Sequence, residues 1–145
     1  MNAVRSLASM IEQPAPRPVI HPWDYVRLRR KAAGLTIAQA ARPYWHRPEH
    51  RDDVESNIAR LEQTGFRMMP TLEAADMSRA FPFSLDVYHQ LCTLPPHQHP
   101  RLCAGCGWDQ WTDQIDRQGN DVTWSEDNAD LCTRCAEADR KPDNF

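Results

Sequence analysis

Cys103-Ala104-Gly105-Cys106 and Cys132-Thr133-Arg134-Cys135 are the two segments whose reading decides how the chain divides. Each C-x-x-C places two thiols on one tight turn, and two such turns supply the four sulfurs of a closed tetrahedral site. The pattern therefore points to one Zn²⁺ held by Cys103, Cys106, Cys132 and Cys135, with 25 residues between the pairs. A thiol-redox motif usually opens a helix after a strand in a larger α/β domain, and that context is missing. With four sulfurs and no open position, the metal is expected to hold a fold rather than to do chemistry. Function is then expected to lie in the residues in front of it.

The 145-residue chain has room for one ordinary domain or two small ones. No apolar run approaches the roughly 20 residues that span a bilayer. The start, Met1-Asn2-Ala3-Val4-Arg5, is too interrupted for a signal peptide, so a cytoplasmic protein without membrane partners is expected. The net charge of −3 hides an asymmetry. Between His21 and Arg51 stand seven basic residues (Arg27, Arg29, Arg30, Lys31, Arg42, Arg47, Arg51) against Asp24 and Glu49. From Thr93 to Phe145 there are five basic and ten acidic residues. A cationic strip suits phosphate, whereas an acidic module is repelled by it.

The prolines divide the rest. Residues 1–20 carry Pro14, Pro16 and Pro18 without periodicity and read as a disordered tail. Trp23, Val26 and Ala33 follow helical steps until Gly34. Thr36 caps a second helix, Ile37-Ala38-Gln39-Ala40-Ala41, which Pro43 ends. Asp52 or Asp53 caps a third helix with Val54, Ile58 and Leu61 on one stripe and Gly65 as its stop. Thr71 caps a fourth with Leu72, Ala75 and Met77, and Ser84 a fifth with Leu85, Val87, Tyr88 and Leu91. Pro95, Pro96 and Pro100 form a stiff hinge over 94–100. Residues 101–138 form the zinc module, where Gly107 needs positive φ, Trp108, Trp111 and Trp124 supply bulk, and Gln118-Gly119-Asn120-Asp121 reads as a hairpin turn. Residues 139–145 are a polar tail. His97 and His99 are solvent-exposed hinge residues, and Cys92 is a small hydrophobe rather than a fifth ligand.

The segments Leu28-Arg29-Arg30-Lys31-Ala32-Ala33-Gly34-Leu35-Thr36, Ala40-Ala41, Ser56-Asn57-Ile58-Ala59-Arg60-Leu61-Glu62-Gln63-Thr64-Gly65 and Pro70-Thr71-Leu72 together resemble a lambda-repressor/Cro-like helix-turn-helix domain. The resemblance spans 22–92 within a domain at 21–93. It implies that Glu55 and Ser56 take the main base-reading positions, with Asn57 and Arg60 beside them, and that Arg30 and Glu62 join the first helix to the third. One departure stands out. Seventeen steps separate Ala41 from Ile58, where the family has about ten, so the turn between helices two and three is enlarged. That insert gathers Arg42, Arg47 and Arg51 with His46, His50, Tyr44 and Trp45, and is expected to touch DNA phosphates. The cysteine half resembles a small zinc-binding module common in phage and prophage proteins.

The fold class expected is mainly α: a five-helix helix-turn-helix domain followed by a small zinc ribbon-like module. The function expected is a sequence-specific DNA-binding transcriptional regulator of bacterial phage or mobile-element type. Its partner is double-stranded DNA, with the zinc module serving protein contacts or self-association as a homodimer. The alternative is a protein-interaction adaptor on the same frame without DNA binding. No carboxylate–histidine constellation, nucleophile motif or phosphate loop occurs, so neither catalysis nor a small-molecule substrate is expected.

Overall fold

The computed structural model describes residues 17–67 and 76–140. Among them are five α-helices, α1 Pro22–Ala32, α2 Ile37–Ala41, α3 Arg51–Leu61, α4 Leu85–Thr93 and α5 Thr133–Arg140, and no strand. None is long and apolar enough to cross a membrane.

Helix α1 begins on Pro22, whose missing N–H is one the first turn leaves unpaired anyway. Asp24 Oδ2 accepts the His21 N–H at 3.1 Å and fixes the entry. Tyr25, Val26, Arg29 and Arg30 form its buried face. Gly34, at φ +73°, turns the chain so that Leu35 N–H returns to Arg30 O at 3.3 Å. Thr36 and Gln39 then close a reciprocal capping box, Gln39 N–H to Thr36 Oγ1 at 3.1 Å and Thr36 N–H to Gln39 Oε1 at 2.9 Å. Ala40 and Ala41 of α2 are fully buried, and their small side chains allow α3 to lie close.

The enlarged turn is built from two 3-10 turns, Arg42–Tyr44 and Pro48–His50, each accommodating one of the prolines that end regular helix. Here one expectation is corrected. Neither Asp52 nor Asp53 caps α3; the helix starts at Arg51 after His50, which makes no side-chain cap. A side-chain cap needs an extended N-cap residue, but the preceding 3-10 turn leaves His50 at φ −93°, ψ −11° and runs straight into the helix. Asp52 and Asp53 sit in the first turn, where their charge suits the helix dipole. Ile58 is buried with Val54 and Leu61 half-buried beside it, and Gly65 follows at φ +88°.

The expected Thr71 cap, with Leu72 and Ala75, lies outside the described residues. Met77 is buried in a 3-10 turn, Met77–Arg79. Ser84 caps α4, its Oγ accepting Val87 N–H at 3.2 Å, and Val87, Tyr88 and Leu91 face inward. The core of this half gathers Tyr25, Val26, Ile58, Met77, Phe81, Tyr88 and Leu91. Phe83 stands 5.2 Å from Tyr25 and 5.4 Å from Tyr88, ring centre to ring centre. The proline stretch holds another 3-10 turn, Pro96–Gln98, and His99 Nε2 donates to Leu94 O at 2.7 Å. Leu102, just beyond it, is buried in the helical core.

The cysteine half carries two isolated antiparallel bridges, Ile115 with Asp121 and Trp124 with Cys132. The turn between the first pair is closed by Asp116, whose carboxylate accepts Gln118 N–H at 2.8 Å and Asn120 N–H at 3.0 Å, with Gly119 at φ +85°. Helix α5 continues to Arg140, past the boundary at 138 expected for the module.

Candidate functional site

The first cysteine pair sits on a turn closed by Gly107 N–H to Cys103 O at 2.8 Å and Cys103 N–H to Trp108 O at 2.9 Å. Gly107 takes φ +75°, as its place after the knuckle requires. The second pair straddles the start of α5, so Cys135 projects from the helix's first turn. Ala104 N–H to Asp130 O at 2.8 Å joins the two segments. The four Sγ atoms lie within 4.8 Å of one another, and Cys106 Sγ is 3.7 Å from Cys132 Sγ. A tetrahedron of sulfur about 2.3 Å from one Zn²⁺ has S···S edges of about 3.8 Å. The donor set fits such an ion in number, softness and spacing. Among the described residues these four are the cluster able to hold a metal.

Fixed donors favour the thiolate form at Cys103 and Cys106. Gly105 N–H and Cys132 N–H point at Cys103 Sγ, at 3.3 and 3.2 Å, and Gln114 Nε2 donates to Cys106 Sγ at 3.7 Å. Hydrogen bonds from Cys106, Cys132 and Cys135 hold the Cys103 thiol far below the usual thiol range. Hydrogen bonding to Cys103 and Cys106 pushes the Cys132 and Cys135 thiols far above it, with burial adding in the same direction. Trp108 and Trp124, 4.8 Å apart, close over the cluster, and the Arg101 guanidinium stacks 3.8 Å above Trp124. Gly105 has no room for a side chain, since a Cβ there would meet Cys135 Sγ at 2.9 Å. Cys92 stands apart, half-buried on α4, its thiol raised by burial.

The helical half is clamped by one ion pair. Arg30 Nε donates to Glu62 Oε2 at 2.7 Å and Nη2 to Oε1 at 2.8 Å, while Nη1 donates to Leu35 O at 2.8 Å. This ties α1 to the residue just past α3. On α3, Ser56, Asn57 and Arg60 are exposed, opposite Ile58, whereas Glu55 is half-buried. Arg47 and Arg51 are exposed around the Pro48–His50 turn, Arg51 with Asp52 at 3.3 Å. Arg42 is exposed but engaged, lying 4.1 Å over the Trp45 ring and donating to Trp45 O at 3.0 Å.

Two side-chain placements depart from the charge-based reading. Arg29 and Arg30, counted with the cationic strip, are buried at 5% and 9% exposure and bonded internally, so neither offers its charge to an outside phosphate. Tyr44 and Trp45, grouped with the basic insert, pack against the helical core. The Tyr44 hydroxyl donates to Asp76 O at 2.6 Å, Arg79 bridges to Pro43 O at 3.3 Å, and burial pushes the phenol up to about 12. The insert is thereby moored to the segment before α4. The helical step from Tyr25 and Val26 places Arg29 on the buried face of α1, which is the signal that finds it.

No known protein family, no curated protein and no solved structure matches this chain.

Proposed function

We propose that this protein is a sequence-specific DNA-binding transcriptional regulator whose α3 enters the major groove, with Zn²⁺ stabilising an accessory module. The observation that carries the reading is the α3 surface. Ser56, Asn57 and Arg60 are exposed on the side away from Ile58, on a helix that packs against α2 and is clamped to α1 through Arg30 and Glu62. Such a helix presents hydrogen-bonding side chains on a rigid support, which base-edge readout requires. Arg47 before α3 and Arg51 at its first position stand free of the core, where phosphates would flank a docked helix. The resemblance of the segments around Arg30, Ala41 and Asn57 to lambda-repressor/Cro-like domains supports the same assignment. No catalytic step and no small-molecule substrate belong to the proposal.

Two observations favour a second reading, a protein-interaction adaptor on the same frame. Asp52 and Asp53 are both exposed in the first turn of α3, the end that would approach phosphate. Trp111 and Ile115, at 75% and 59% exposure, also give the acidic module an apolar surface suited to a protein partner or a second copy. Selection of bound fragments from random DNA separates the readings. Enrichment of one sequence supports the regulator, and no enrichment from zinc-loaded protein supports the adaptor.

A further inference from the structure

A buried guanidinium must have its donors filled by fixed acceptors. Arg29 sends Nε to Pro82 O at 3.1 Å and Nη1 to Cys106 O at 3.0 Å, with Gln114 Oε1 at 3.5 Å. Cys106 is one of the four clustered cysteines, and Gln114 itself donates to Cys106 Sγ. The next residue of the knuckle, Gly107, is pressed on α1. A Cβ there would stand 3.1 Å from Arg29 Cδ and 3.3 Å from Tyr25 Cδ1. Ala32, at the end of α1, packs against the cysteine cluster as well. The neighbouring Arg30 faces the other way and holds Glu62 beyond α3. Two consecutive arginines of one helix thus grip the metal knuckle and the end of α3.

The chemistry at the knuckle makes this grip conditional. Four thiolates on one Zn²⁺ leave about two net negative charges, a counter-charge for the buried Arg29. Without the metal the turn loses the anchor that joins it to the second cysteine pair, and Cys106 O is no longer held in place. Arg29 is then a buried cation short of its best acceptor, which costs far more than losing a surface contact.

We propose that Arg29 is a positioning residue that couples the four-cysteine centre to the α1–α3 frame, so that α3 is held in its binding posture only while the cysteines hold metal. The functional half of this inference rests on the reading of α3 as the DNA-contacting helix; the structural half does not. Amide hydrogen exchange on the full chain tests it, with Zn²⁺ bound, after chelation, and after Zn²⁺ is restored. Chelation should speed exchange in the last turn of α1 and in α3 by at least about tenfold, the scale of one lost hydrogen bond from a charged donor. Restored Zn²⁺ should reverse it. Arg29→Met should show that faster exchange with metal bound and gain little more on chelation, while Arg29→Lys restores part of the response. Should Arg29→Met fail to fold, the wild-type metal comparison decides. Unchanged α1 and α3 exchange on chelation, with Gly105 and Cys132 amides deprotected, would overturn the coupling. Zinc-loaded protein that shows the coupling yet binds no DNA would remove the DNA reading and leave the coupling standing.

Discussion

Arg30 and Glu62 bear the tightest single constraint on the helical half, a two-point ion pair with side chains only 11% and 10% exposed. Removing one partner strands the other's charge in a half-dry site. Glu62→Gln should therefore lower unfolding free energy by about 2–3 kcal/mol in urea titrations at unchanged m-value. A loss under about 0.5 kcal/mol would reclassify the pair as an ordinary surface bridge. On α3 the exposed Asn57 and Arg60 touch solvent, not core, so their substitution should spare stability and strike recognition. Asn57→Ala and Arg60→Ala should each cost about 1–3 kcal/mol on a selected DNA site and much less on random DNA. Equal losses on both would move these side chains from bases to phosphates.

Among elements, the enlarged turn between α2 and α3 has the most to reveal. Its inner residues, Tyr44 and Trp45, are committed to the core and to Asp76, and Arg42 lies on Trp45. That leaves Arg47 and, at the start of α3, Arg51 as outward arginines that hold no core residue. Neutralising both, Arg47→Gln with Arg51→Gln, should weaken specific and non-specific DNA binding alike. It should also flatten the dependence of log K on log salt by about two units, because each phosphate contact releases roughly one counterion. An unchanged slope would place the insert away from the DNA. In the other half, α5 and the first knuckle have too little apolar surface to fold together unaided. Cys132→Ser should abolish the single Zn²⁺ that metal analysis is expected to find per chain. It should also erase the near-ultraviolet dichroism of the Trp108–Trp124 pair. Full zinc retention in that variant would contradict the four-sulfur assignment.

At the scale of the whole molecule, local chemistry was legible in the sequence. So were two long-range meetings, Arg30 with Glu62 and one cysteine pair with the other, but not the partners of Arg29. Gly34, Gly65, Gly107 and Gly119 take the positive φ their places demand, and Thr36 and Ser84 cap the helices they precede. The four cysteines meet because C-x-x-C spacing fixes each pair and only one assembly brings the pairs together. Asp52 and Asp53 misled because a capping residue is recognised by type, whereas its backbone angle is set by the proline turn before it. Arg29 escaped because periodicity gives the face of a helix and not the partner, here a carbonyl 77 residues away. Charge alone counted it in a cationic strip; burial places it between the helical half and the first cysteine turn. Specific recognition of DNA by α3 is the central property proposed for this protein. Its most direct measurement is competition binding of zinc-loaded protein to a selected fragment against random duplex, repeated across salt. The expected result is at least about a thousandfold preference for the selected fragment, with log affinity for both falling steeply and linearly in log salt. Binding that is absent, or equal for both duplexes at every salt concentration, would contradict it.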